Sequence, residues 1–230
     1  MFRPIVHSNL PVTLVGGGQG TRRDLHKSLR IAPLCVAADG GARLALAAGV
    51  EIEALIGDFD SVGDAVLREI PRARQHHISE QDSTDFEKAL SRIDAPLVLG
   101  VGFLGGRVDH QLAVLQVLLR YPARPCLLLG AQEVICLAPP QIAVDMRAGE
   151  TLSLFPLAPV TGRSSGLEWP IEGIGFAPDG RGGTSNRATG PVTLDFDCPG
   201  MLLIAPRRLM RDVAQRLAAP DAARWPARKG

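Results

Sequence analysis

Apolar positions in the first half of the chain fall into short runs separated by amphipathic stretches. Val12–Val15, Leu34–Ala37, Ala54–Ile56, Leu97–Val101 and Pro125–Leu129 read as strands, and Gly41–Ala48, Thr84–Ile93 and Val108–Leu119 as helices. In the second helix Phe86, Ala89, Leu90 and Ile93 share a face, and in the third Leu112, Leu115 and Leu119 form a stripe. Strands alternating with helices predict βα units around a parallel sheet. The character changes at Ala138-Pro139-Pro140, because consecutive prolines continue neither a helix nor a central strand. Beyond it, β-type runs such as Thr151–Phe155 and Val192–Phe196 alternate with turn residues, and only Arg208–Leu217 reads as helical. The fold class expected is α/β: an N-terminal doubly wound, Rossmann-like parallel sheet domain over residues 1–138, then a C-terminal all-β sandwich domain over 141–230.

Composition narrows the classes of function. With 230 residues, 46% hydrophobic and 21% charged, the chain can bury a substantial core without staples. No run reaches the roughly 20 apolar residues of a membrane span, and Pro4, His7, Asn9 and Pro11 interrupt the start as no secretory leader would be. A cytoplasmic protein with no membrane partner is expected. Cys35, Cys126, Cys136 and Cys198 lack metal-ligand spacing and read as reduced, packed thiols. A formal net charge of +1 gives no nucleic-acid footprint. The basic C-terminal cluster of Arg207, Arg208, Arg211, Arg216, Arg224, Arg228 and Lys229 reads as a solvated tail.

Chemistry concentrates at the ends of the expected strands. In Gly57-Asp58-Phe59-Asp60-Ser61, two carboxylates two residues apart on an extended backbone aim at one point, where a magnesium ion would satisfy both. An acidic turn capping the next helix is the alternative. Asp82-Ser83-Thr84-Asp85 opens the helix through Phe86; Asp82 as N-cap and Asp85 reaching back would explain both carboxylates. Beside Asp58 and Asp60, however, Asp85 could complete a metal and phosphate site. Gly102–His110 joins a strand to a helix, with glycines for close approach and a helix N-terminus that favours an anion. There Arg107 either clamps phosphate or pairs with Asp109, and His110 reads as structural. Val15–Gly20, which contains Gly17, and Ala38-Asp39-Gly40-Gly41-Ala42 are further candidate phosphate or ribose turns without a Walker or dinucleotide fingerprint.

Taken in order, Ala-Asp-Gly-Gly-Ala at 38–42, Gly-Asp-Phe-Asp-Ser at 57–61, Asp-Ser-Thr-Asp-Phe-Glu-Lys-Ala-Leu at 82–90 and Gly-Gly-Arg-Val-Asp-His at 105–110 resemble the thiamine pyrophosphokinase family. Thr151–Leu157, Gly166–Trp169 and Gly183–Asn186 resemble its β-domain motifs. The resemblance implies magnesium-dependent transfer of a diphosphoryl group from ATP to thiamine, and a homodimer with active sites between subunits. It places Asp58, Asp60 and Asp85 at the metal and, with Asp109, in the catalytic group. Gly17, Asp39, Gly40, Ser61, Thr84, Arg107, Asp109 and His110 fall on the nucleotide side. Trp169, Ser185 and Asn186 would receive thiamine. A diphosphokinase for another alcohol, such as a hydroxymethylpterin, and a non-catalytic nucleotide or thiamine sensor are the competing readings.

Overall fold

A computed structural model describes residues 3–228, so Lys229 of the basic cluster lies outside the described residues. The fold is mixed α/β and divides into two compact units, residues 1–117 with 128–130, and residues 118–127 with 131–230. Among the described residues no helix is long and apolar enough to cross a membrane.

The first unit runs β1 (Val6–His7), β2 (Val12–Val15), α1 (Arg22–Leu29), β3 (Leu34–Ala38), α2 (Ala42–Ala47), β4 (Ala54–Gly57), α3 (Asp64–Glu69), β5 (Gln75–His77), α4 (Asp85–Ser91), β6 (Ile93–Asp94), β7 (Val98–Val101) and α5 (Val108–Arg120), with β8 (Cys126–Leu129) following. Its main sheet is parallel in the order β7-β2-β3-β4-β5. Every residue of β2, β4 and β7 is buried, which accounts for the apolar runs in the sequence, broken only at Thr13 of β2. Successive strands step outward from β2 to β5, and the chain then returns to place β7 on the other side of β2. That reversal sets the loops after β2 and β7 side by side: Gly16 N–H donates to Val101 O at 2.8 Å and Gly18 N–H to Gly102 O at 3.0 Å. In open α/β sheets such a switch point, outside the strands' carboxyl ends, is where ligands bind.

Two helices differ from the sequence expectation. α4 is capped by Thr84, whose Oγ1 accepts from Glu87 N–H at 3.2 Å, and not by Asp82. In α5 the buried residues include Val114, Val117 and Leu118, while Leu112 is 57% exposed, so the expected leucine stripe is not the core face. α1 carries little apolar periodicity in the sequence, since only Leu25 and Ser28 are buried in an octet that is mostly polar or charged.

The second unit runs β9 (Glu133–Leu137), β10 (Gln141–Val144), β11 (Thr151–Pro156), β12 (Gly162–Leu167), β13 (Thr184–Phe196), β14 (Met201–Pro206) and α6 (Met210–Ala218). Pro139-Pro140 separates β9 from β10, and residues 131–138 pack with this unit. The pairings of β9 to β14 with one another are antiparallel: β14 lies between β9 and β11, β11 pairs with the first part of β13, and the last part of β13 is flanked by β10 and β12. Cys126 and Cys136 are buried here, as is Cys35 in the first unit; Cys198 is half-buried, and all four are free thiols. Trp225 anchors the C-terminal segment by donating its indole N–H to Ala138 O at 2.7 Å. The segment containing Arg224 is therefore tied down at its neighbour.

Candidate functional site

The loops after β2, β3, β4 and β7, together with the start of α4 and of α5, line one cavity of about 700 Å³ in the first unit. Gly17, Asp39, Gly40, Ser61, Thr84, Asp85, Arg107 and His110 all line it. Glycines that line it or lie directly behind it are there for close contact. A Cβ on Gly41 would meet Val15 O at 2.0 Å, and one on Gly18 would meet Gly102 O at 2.7 Å. Gly102, Gly105 and Gly106 carry φ of 79°, 77° and 108°, the left-handed region that glycine enters without strain.

Its acidic corner is assembled by sheet register. Ala38 of β3 pairs with Ile56 of β4, so Asp39 and Gly57 emerge as neighbours, and a Cβ on Gly57 would lie 2.9 Å from Asp39 Cβ. Asp39, Asp58 and Asp60 each offer a carboxylate oxygen within 4.8 Å of the others. Asp39 is 2% exposed; its Oδ2 accepts from Ser61 Oγ, while its Oδ1 is buried without a hydrogen-bond partner. Asp39 and Phe59 both hold positive φ, 42° and 65°, a strained conformation for non-glycine residues. The convergence of Asp58 and Asp60 thus comes from a turn through Phe59 and not from the extended backbone that their spacing suggested. Three oxygen donors, one of them lacking any other partner, fit a hard divalent cation such as Mg²⁺.

Lys88, to which the sequence reading gave no role, completes the electrostatics. Its side chain is 2% exposed, with Nζ 2.7 Å from Asp58 Oδ2 and 3.3 Å from Asp85 Oδ1. The hydrogen bond from Lys88 holds the Asp58 carboxyl below the usual range. Burial, followed by the negative charge of Asp39, pushes Asp85 above it. For Lys88 itself burial opposes the charge, but the two carboxylates outweigh it and the ammonium pKa is raised. Asp85 therefore sits against Lys88, while Asp39 occupies the third place in the carboxylate trio. Arg43 also reaches this corner, donating to Ser61 O.

Arg107, which lines the cavity, and Asp109, which does not, form a forked pair at 2.6 and 3.1 Å, well exposed, and the guanidinium holds Asp109 down at about 2. Gln111, also absent from the sequence reading, accepts from Gly105 N–H at 3.0 Å and so ties the glycine loop to α5.

The residues expected to receive thiamine lie in the second unit. Trp169 is half exposed after β12, and Ser185 and Asn186 lie on β13. Asn186 accepts from Trp169 N–H at 3.2 Å and donates to Trp169 O at 2.6 Å, while Ser185 Oγ meets Ser153 Oγ at 3.4 Å.

Residues 25–128 match a family profile described as thiamin pyrophosphokinase, catalytic domain. Thiamine pyrophosphokinases 1 and 2 of Arabidopsis thaliana are each 30% identical to the chain over 149 residues, which is 56% of this chain and 56% of either relative. The chain thus spans little more than half the length of these curated relatives. Among solved structures, the thiamin pyrophosphokinase of Geobacillus thermodenitrificans superposes with a TM-score of 0.71 at 24% identity, over 86% of this chain and 97% of that one. The enzyme of Candida albicans gives 0.71 at 17% identity, over 87% and 93%. The fold is shared with these proteins.

Proposed function

We propose that this chain, whose residues 25–128 carry the catalytic domain of the thiamin pyrophosphokinase family, is a cytoplasmic thiamine diphosphokinase that converts ATP and thiamine to AMP and thiamine diphosphate. The observation that carries the reading is the trio of Asp39, Asp58 and Asp60, with the unpartnered Asp39 Oδ1, of which Asp39 lines the glycine-rich cavity at the strand ends. Asp39, Asp58 and Asp60 would hold Mg²⁺, with Asp85 beside them; the ion would neutralise charge on the polyphosphate.

The chain's own residues supply positioning. Glycine turns after β2 and β7 let backbone N–H groups approach the phosphates, and the N-terminus of α5 favours an anion. Arg107, paired with Asp109 before ligand binds, would turn its fork to phosphate oxygens. Lys88 keeps Asp58 ionised and oriented. Reaction then requires the thiamine hydroxyl to meet the β-phosphorus in line with the departing AMP oxygen, an arrangement that depends on positioning more than on covalent chemistry. Gly17, Gly40, Ser61, Thr84 and His110 are proposed to shape the nucleotide side of the cavity, and Trp169, Ser185 and Asn186 the thiamine side. Thiamine is the acceptor in this reading because the motifs around Trp169 and Asn186 accompany the nucleotide motifs.

The division of labour proposed is a nucleotide-binding domain up to residue 138 and a β-sandwich from 141 onward; the sharing of β13 between two sets of partners supports the sandwich. A homodimer with active sites between subunits completes the proposal. Incubation of the purified protein with ATP, Mg²⁺ and thiamine, followed by chromatography, tests it: AMP and thiamine diphosphate should appear in equal amounts. ADP with thiamine monophosphate would refute it.

A further inference from the structure

One surface cluster in the second unit is organised around a cation that the chain itself supplies. β12 reaches Leu167 through an irregular register at Gly166, whose φ is 79° and where a Cβ would meet Pro191 O at 2.1 Å. The chain leaving β12 is then stitched to β13. Glu168 N–H donates to Arg187 O at 2.8 Å, and Asn186 brackets the Trp169 backbone. Because Asn186 is 2% exposed, those bonds are shielded from water and fix where Trp169 stands. The indole itself remains 51% exposed.

Arg187 covers that indole. Its guanidinium carbon lies 5.8 Å from the ring centroid, and its Nη1 lies 3.2 Å from Glu168 Oε2. An aromatic face beside a carboxylate is the partner set that a flat cationic ligand uses. Here one flexible side chain satisfies both. The arginine is more than half exposed and so is weakly held, since exposed ion pairs and exposed cation–π contacts contribute little.

We infer that Arg187 is an internal stand-in for the cationic ring of the acceptor: it rests on Trp169 and Glu168 until that ring displaces it, and thereby sets the site's affinity for planar cations. The inference rests on the proposal that Trp169 belongs to the thiamine pocket. Displacement costs the ligand the contact that Arg187 loses, and removing the arginine also leaves Glu168 free to attract a cation. Arg187→Gln should therefore tighten thiamine binding about 2–5-fold, the range that an exposed cation–π contact corresponds to.

Titration calorimetry with thiamine on the full chain, run on wild type, Arg187→Gln, Arg187→Lys and Trp169→Leu, decides the matter. Tighter binding to Arg187→Gln, unchanged binding to Arg187→Lys and weaker binding to Trp169→Leu are expected. If Trp169→Leu weakens binding but Arg187→Gln leaves it unchanged or weakens it too, Arg187 is not a displaceable stand-in and the inference falls alone. If neither Trp169→Leu nor Arg187→Gln changes the affinity, Trp169 does not receive thiamine, and the reading beneath the inference falls with it.

Discussion

Replacing Lys88 with methionine removes the ammonium from the acidic corner while keeping most of the buried stem. Loss of one partner from a buried ion pair costs about 3–5 kcal/mol. Here Asp58 is 12% exposed and Asp85 38%, so water screens part of the loss and the Asp85 contact contributes less than the Asp58 contact. Methionine fills the space, so no cavity cost is added. A destabilisation of roughly 2–3 kcal/mol follows, or a melting temperature lowered by about 4–12 °C for a chain of this size. The effect has a definite sign with pH. Asp58 is held below its ordinary value in the folded protein, so its contribution is present above the usual carboxylate range and is lost as pH falls through the lowered value. Asp85 is raised, so its charged form is already disfavoured and protonation relieves the fold as pH falls. Wild type and variant should thus converge in acid. Circular-dichroism melts in EDTA between pH 4 and 8 would measure this, and Mg²⁺ should restore part of the variant's stability by replacing the missing positive charge. A variant that melts within a degree of wild type at pH 7 in EDTA would refute the charge balance described for this corner.

Asp60→Asn should lower turnover at least ~100-fold with folding intact, as expected from losing several kcal/mol of metal-borne stabilisation, and steady-state rates against Mg²⁺ concentration would measure it. Near-normal turnover at limiting Mg²⁺ would remove Asp60 from the metal site. Gly41→Ala should fail to accumulate as folded protein or melt well below wild type, because its methyl would sit 2.0 Å from Val15 O, where only backbone can give way; soluble yield and a thermal melt report the outcome.

Much of the first unit is legible in sequence because parallel strands buried on both faces are nearly all apolar, as Ala54–Gly57 is and as Val12–Val15 is apart from Thr13, whose hydroxyl donates to Ala32 O. The glycine loops are legible for a related reason, since close backbone approach excludes side chains. Asp39 could not be joined to Asp58 and Asp60 from spacing, because eighteen intervening residues separate it from Asp58 and only the pairing of β3 with β4 brings them together. Lys88 was missed because a lysine beside Phe86, Ala89 and Leu90 reads as the solvated edge of an amphipathic helix. Its placement three residues after Asp85 was the available signal. In α5 two stripes share the helical period, and Val114, Val117 and Leu118 form the buried face while Leu112 faces solvent.

In the proposed reaction the β-phosphorus of ATP is the atom attacked, and its fate can be followed directly. ATP labelled with ³²P at the β-position, incubated with the full chain, Mg²⁺ and thiamine, should deliver the label to thiamine diphosphate and leave AMP unlabelled. Label retained in ADP, with no labelled thiamine diphosphate, would rule out diphosphoryl transfer.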